Sequence, residues 1–170
     1  MPISIHHAAI DAQVNGRTVD TIMGRPIDGI EGASLIDFPK VQDYRGNLSI
    51  IEAMRNVPFL IRRVYYVYDV PSGVVRGGHA HKSLHQCIIP ACGSFTVLLD
   101  DGRSTNNVHL DRPDCGLYVP PMVWGDLEGF APGTLCLVLA SEHYDESDYF
   151  RNYEEFQQAV RDQSTAANKG

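Results

Sequence analysis

The stretch Val75-Arg-Gly-Gly-His-Ala-His-Lys82 sets two imidazoles, His79 and His81, one residue apart between runs that read as β-strand. Side chains two apart on a strand point to the same face. On a strand that lines a barrel, both rings share one wall. Imidazole moves protons near neutral pH, and it is also the commonest ligand of zinc and iron. The rest of the sequence has to decide between those uses.

Working outward, short β-type runs follow one another: Ser34 to Phe38, Leu48 to Met54, Phe59 to Tyr68, Val75 to His81, Gln86 to Ile89, Ser94 to Leu99, Val108 to Leu110, Gly116 to Val119 and Thr134 to Ala140. Turn residues separate them, among them Pro71-Ser-Gly73, Ala91-Cys-Gly93, Asp100-Asp-Gly102 and Ala131-Pro-Gly133. Many short strands without interleaved helices predict an all-β sandwich or small barrel. The Asp101-Gly102 tip between two apolar runs predicts a hairpin. Only the end has helical spacing, with Tyr149, Tyr153, Phe156 and Val160 as a packing stripe. The predicted organisation is an N-terminal extension over residues 1–33, a barrel domain over 34–145, a helical segment over 146–163 and a disordered tail over 164–170.

The chain has 170 residues, 44% of them hydrophobic, with a formal net charge of -7. That length suits one domain with a real core. The acidic balance argues against general nucleic-acid or anionic-membrane binding, so an anionic small ligand needs a local arginine cluster. No apolar run approaches membrane-spanning length, and the first residues lack a basic segment followed by an apolar one. The expected location is the cytoplasm. Cys87, Cys92, Cys115 and Cys136 form no Cys-x-x-Cys pair, and they are expected to be reduced, buried thiols.

Gly73, His79, His81, Gln86 and Gly93 form G-x5-H-x-H-x4-Q-x6-G, which resembles the first signature of the cupin superfamily. Glutamine stands where a metal-binding cupin has glutamate. The segment Gly116-Leu-Tyr-Val-Pro-Pro-Met-Val-Trp-Gly-Asp-Leu127, where a second signature would supply a further histidine, has none. Transition metals want three or four N, O or S ligands. Two histidines and an amide fall short, and His85 or His143 would have to complete the set. Metal-free proton chemistry is the expected use, with no metal and no cofactor.

The resemblance then narrows. Pro58-Phe-Leu-Ile-Arg-Arg-Val-Tyr-Tyr66, Arg76-Gly-Gly-His-Ala-His-Lys82 and Leu139-Ala-Ser-Glu-His-Tyr-Asp-Glu-Ser-Asp-Tyr-Phe-Arg151 are similar to runs of the cupin-fold nucleotide-sugar 3,4-ketoisomerases, which act on dTDP-4-keto-6-deoxyhexoses. Asp43-Tyr-Arg-Gly46 and Gly116-Leu-Tyr-Val119 extend the match. Some relatives carry histidine directly after the tryptophan, where this chain has Gly125. The resemblance implies a cupin, or jelly-roll, β-barrel with a short C-terminal helix. It implies conversion of a dTDP-4-keto-6-deoxyglucose to its 3-keto isomer through an enediolate, in deoxysugar biosynthesis. His79 becomes the base at C3, His81 the relay at the sugar oxygens or C4, and Tyr65 a partner of His79 or of those oxygens. Arg45, Arg63, Arg76 and Lys82 are candidates for the diphosphate, because guanidinium forks match phosphate oxygens. On a strand only one of Arg62 and Arg63, and one of Tyr65 and Tyr66, can face the pocket; Arg63 is favoured. Tyr44 or Trp124 would pack on the ligand or simply fill the barrel. The family also implies a homodimer, often with exchanged N-terminal strands. The competing readings are a dTDP-sugar 3,5-epimerase, a non-catalytic nucleotide-sugar-binding cupin and a metal-dependent cupin enzyme.

Overall fold

The structure, a computed structural model, describes residues 24–167. Its strands are β1 (Arg25–Pro26), β2 (Ser34–Asp37), β3 (Lys40–Asp43), β4 (Gly46–Ser49), β5 (Arg63–Tyr68), β6 (Arg76–His81), β7 (Gln86–Cys92) and β8 (Phe95–Asp100). Then come β9 (Thr105–Leu110), β10 (Cys115–Val119), β11 (Trp124–Glu128), β12 (Leu135–Ala140), a 3-10 turn (Glu146–Asp148), β13 (Tyr149–Phe150) and helix α1 (Tyr153–Ala167). A six-stranded sheet, β1-β2-β10-β7-β12-β5, packs on a five-stranded sheet, β13-β6-β11-β8-β9, and β3 and β4 form a separate hairpin. This is the all-β architecture that the strand pattern predicts, and the jelly-roll barrel with a C-terminal helix that the resemblance implies. Among the described residues no helix is long and apolar enough to cross a membrane.

Alternation explains how the sheets meet. Phe95, Val97 and Leu99 of β8 point inward onto Ile88, Leu117, Val119, Cys136 and Val138 of the other sheet. Burying each such side chain contributes about 1.5–3 kcal/mol. Strands β7 and β10 are buried on both faces. Their outward residues, Cys87, Ile89 and Tyr118, pack with Phe38, Val57 and Phe59 in a second cluster. On the outside of the five-stranded sheet, Phe156 and Val160 of α1 cover Ala80, with Trp124 and Phe150 packed alongside.

Several expectations need correction. Residues 25–33 belong to the barrel, because β1 pairs with β2 and Ile30 is sunk in the central core; the remaining extension, 1–23, lies outside the described residues. Strands β3 and β11 were not expected. The C-terminal helix starts at Tyr153, where the Asn152 side chain accepts hydrogen bonds from Glu154 N and Glu155 N. It continues to Ala167, so residues 164–167 are helical and only 168–170 of the expected tail lie outside the described residues. All four cysteines are free thiols, but Cys92 is exposed.

The feature that positions the site is a β-bulge. His79 pairs with Gly125 and Gly77 with Asp126, leaving Gly78 as an extra residue on β6. Arg76 and His79 are three apart and would face opposite ways on a regular strand. The extra residue resets the phase, so both line the same cavity. The bend requires glycine at residue 77: φ is +92°, and a Cβ there would stand 2.6 Å from the Gly125 carbonyl oxygen. Gly77→Ala is therefore expected to lose about 1–3 kcal/mol of stability. Urea denaturation should show a lower midpoint with an unchanged slope.

Candidate active site

Between the sheets lies a cavity of about 660 Å³. Strand β5 sends in Arg63, Tyr65 and Val67, while its alternate residues Val64, Tyr66 and Tyr68 face outward. Strand β6 contributes Arg76, His79 and His81, β7 contributes Gln86, and β13 contributes Tyr149. Tyr144 and Arg151 complete the wall. Three arginines line this space, and among the described residues no carboxylate does. It is the local cationic cluster that an anionic ligand needs in an acidic protein.

The two imidazoles meet edge to face with centroids 5.0 Å apart, and Tyr149 packs on both, at 5.0 Å from His79 and 4.3 Å from His81. Arg63 lies over the Tyr65 ring at 5.2 Å and directs a guanidinium N–H toward the Tyr149 hydroxyl at 3.4 Å. His81 Nδ1 stands 2.9 Å from Asp148 Oδ2. The other oxygen of Asp148 accepts from the Ser83 amide at 2.8 Å and the Ser83 hydroxyl at 2.6 Å. Among the described residues, three buried nitrogens have no protein partner: His79 Nδ1, His81 Nε2 and Arg63 Nε.

Burial lowers the pKa of His79. It also pushes His81 down to about 4, helped by neighbouring His79 and opposed by Asp148. Both rings are therefore neutral near pH 7. Burial drives the Tyr65 phenol far above its ordinary range, so its O–H stays a donor. For Asp148, burial acts upward, but the hydrogen bonds from Ser83 and His81 outweigh it and hold the carboxyl below its usual value.

Of the residues expected from the sequence, the fold brings together His79, His81, Tyr65, Arg63 and Arg76. It does not bring Lys82, whose ammonium donates to the Ser147 carbonyl at 2.6 Å and lies over Phe150. Arg45 sits on the exposed β3–β4 hairpin, gripping Asp43. Arg62 faces outward toward Glu142. Trp124 packs on Tyr153 and Phe156, outside the cavity, and Tyr44 is almost fully exposed. His85 is outside as well, bonded to the Tyr118 hydroxyl at 2.7 Å. No group of three or more His, Cys, Asp or Glu side chains suited to a metal occurs among the described residues. Gly125, opposite His79, leaves open space where a side chain would project.

Sequence reasoning did not single out Tyr144, Asp148, Tyr149 or Arg151. Tyr149 was counted in the helical stripe, yet it belongs to β13, paired with His81. The available signal was Asn152 followed three residues later by Glu155, a helix-start pattern that places Tyr149 before the helix.

The His81 shift gives a pH test. Its pKa is lowered from the ordinary imidazole value of about 6.5 to about 4 in the folded chain. Between those values the unfolded chain binds more protons, so stability rises with pH across the window. This contribution is fully present above about pH 6.5 and is lost as pH falls toward about 4. Tm measured from pH 7 to 4.5 should fall, and His81→Asn should flatten that fall.

The family model described as FdtA: WxcM-like, C-terminal matches residues 31–161. The TDP-4-oxo-6-deoxy-alpha-D-glucose-3,4-oxoisomerase of Aneurinibacillus thermoaerophilus is 44% identical over 126 residues, which are 74% of this chain and 91% of that protein. A crystal structure of a 3,4-ketoisomerase from Helicobacter canadensis superposes with a TM-score of 0.75 at 38% identity, covering 78% of this chain and 98% of that one. QdtA, a sugar 3,4-ketoisomerase from Thermoanaerobacterium thermosaccharolyticum in complex with TDP, gives 0.76 at 40% identity, covering 77% and 96%.

Proposed function

The chain belongs to the FdtA, WxcM-like C-terminal family, and from that premise we propose that it is a metal-independent dTDP-sugar 3,4-ketoisomerase. Its substrate is dTDP-4-keto-6-deoxyglucose and its product the 3-keto isomer, made in the cytoplasm for deoxysugar biosynthesis. One observation carries the reading: two neutral imidazoles and three arginines converge on a cavity free of carboxylates among the described residues.

The carbonyl at C4 acidifies the C3 hydrogen, and His79 takes that proton. Charge moves to O4, where the Tyr65 O–H stabilises it. His81 carries the O3 hydroxyl proton to O4. His79, its proton exchanging with solvent while the enediolate lasts, then protonates C4 and leaves the ketone at C3. Atoms balance within the sugar, so the net change is isomerisation. Arg63 and Arg76 serve the diphosphate.

Incubation with dTDP-4-keto-6-deoxyglucose in deuterated water, followed by NMR, tests this. Deuterium at C4 of a 3-keto product is the expected result. Deuterium at C3 and C5 of the 4-keto sugar would make it a 3,5-epimerase, and tight binding without turnover a binding protein. His79→Asn should lower kcat by about 10²–10⁴-fold, and His81→Asn should slow turnover strongly.

The working unit is a homodimer. Strand β5 ends its sheet while exposing Val64, Tyr66 and Tyr68 at 55%, 60% and 58%. The β3–β4 hairpin exposes Val41 and Leu48. An edge left unpaired among the described residues, with an apolar face, favours strand pairing with a second copy. Exchange of the hairpin would give Arg45 a route to the diphosphate of the neighbouring copy. Sedimentation should report a dimer, and Val64→Asp with Tyr66→Asp should shift it to monomer.

A further inference from the structure

Asp148 does not line the cavity; it grips His81 from behind. A carboxylate only accepts hydrogen bonds. The 2.9 Å contact therefore requires a hydrogen on His81 Nδ1. In a neutral ring that leaves Nε2 bare, and Nε2 is a buried atom with no partner among the described residues, on a side chain that lines the cavity. The carboxylate is itself fixed, because Ser83 holds its other oxygen through two hydrogen bonds. The Lys82 amide donates to the Asp148 carbonyl at 2.8 Å, tying the 3-10 turn to the end of β6.

We propose that Asp148 is a positioning residue that locks His81 in the Nδ1–H tautomer, so that His81 enters the proton relay as an acceptor at Nε2. The inference rests on the ketoisomerase reading above and deepens it. Nε2 takes the O3 hydroxyl proton, making an imidazolium that Asp148 stabilises. The same proton is delivered to O4, and the ring returns to its starting tautomer. Asp148 stays ionised throughout, as an orienting carboxylate does. The groups that face His81 are His79 on its own strand, Arg63 from β5, Tyr149 from β13 and the Asp148–Ser83 pair. Of these only Asp148 favours the imidazolium that the relay must pass through.

Two measurements test the proposal, and the first needs neither turnover nor a variant. In histidine ¹⁵N–¹H spectra of the wild-type chain near pH 7, His81 should show a protonated Nδ1 and a bare Nε2. Asp148→Asn, whose amide donates as well as accepts, should mix or invert that tautomer. It should lower kcat by about 10²-fold or more while KM changes little. Asp148→Glu should restore part of both. In a His81→Asn background, Asp148→Asn should add no further loss, because both changes remove one device.

A wild-type His81 protonated on Nε2 would overturn the proposal. So would an Asp148→Asn enzyme within about threefold of wild-type kcat, or additive losses in the double variant. A carboxylate that merely braces the turn predicts lower Tm with tautomer and kcat unchanged. Absence of keto-sugar turnover by the wild type would instead defeat the ketoisomerase reading, while the tautomer spectrum would still report on Asp148.

Discussion

The one-residue step between β6 and β11 governs this molecule's chemistry. With Gly78 as the extra residue, the strand turns Arg76 inward without turning His79 and His81 outward. An arginine and two imidazoles thereby share one wall within six residues of chain. Both sides of the step hold it in place. Gly77 fits because it has no side chain to strike the Gly125 carbonyl, and β13 pairs with the far edge at His81 and Ala80. Helix α1 then closes over Ala80. The elements around β6 thus fix the direction of its imidazoles.

Much of this was legible because period-2 alternation and turn residues are local signals. Most strands from Ser34 onward, the Asp101-Gly102 hairpin and the inward facing of Arg63 follow from them. What escaped depended on contacts distant in sequence. Strand β11 is half-buried along its length, between β6 and β8, so it lacks an alternating pattern. Lys82 is a cation directly after the histidine motif, which made it a candidate for the diphosphate. The strand ends at His81, and the lysine instead braces the 3-10 turn. The bulge could not be deduced from Gly77-Gly78 alone, since a glycine pair fits a turn equally well. Tyr149 was misplaced because a two-residue strand next to a helix preserves the helix's apolar spacing.

Buried polar atoms without partners are costly, about 1–3 kcal/mol each. Among the described residues three such nitrogens, His79 Nδ1, His81 Nε2 and Arg63 Nε, belong to side chains that line one cavity. They sit together inside a barrel otherwise packed by apolar side chains. The same burial keeps the imidazoles neutral, which is the state a base must start from.

The carboxylates near the cavity stand in a second layer, each already engaged. Asp148 is bound by Ser83 and His81, Glu146 by the Arg151 fork at 2.7 and 2.9 Å, and Asp126 by the Trp124 indole at 3.1 Å. A net charge of -7 would repel a nucleoside diphosphate if it were spread over the cavity wall. Set one layer back, Asp148 and Glu146 orient an imidazole and a guanidinium that line the cavity. Moving any of them onto the wall would raise the imidazole pKa values and oppose an enediolate at the same time. Excluding carboxylates from the lining therefore satisfies the phosphate and the proton chemistry with a single arrangement.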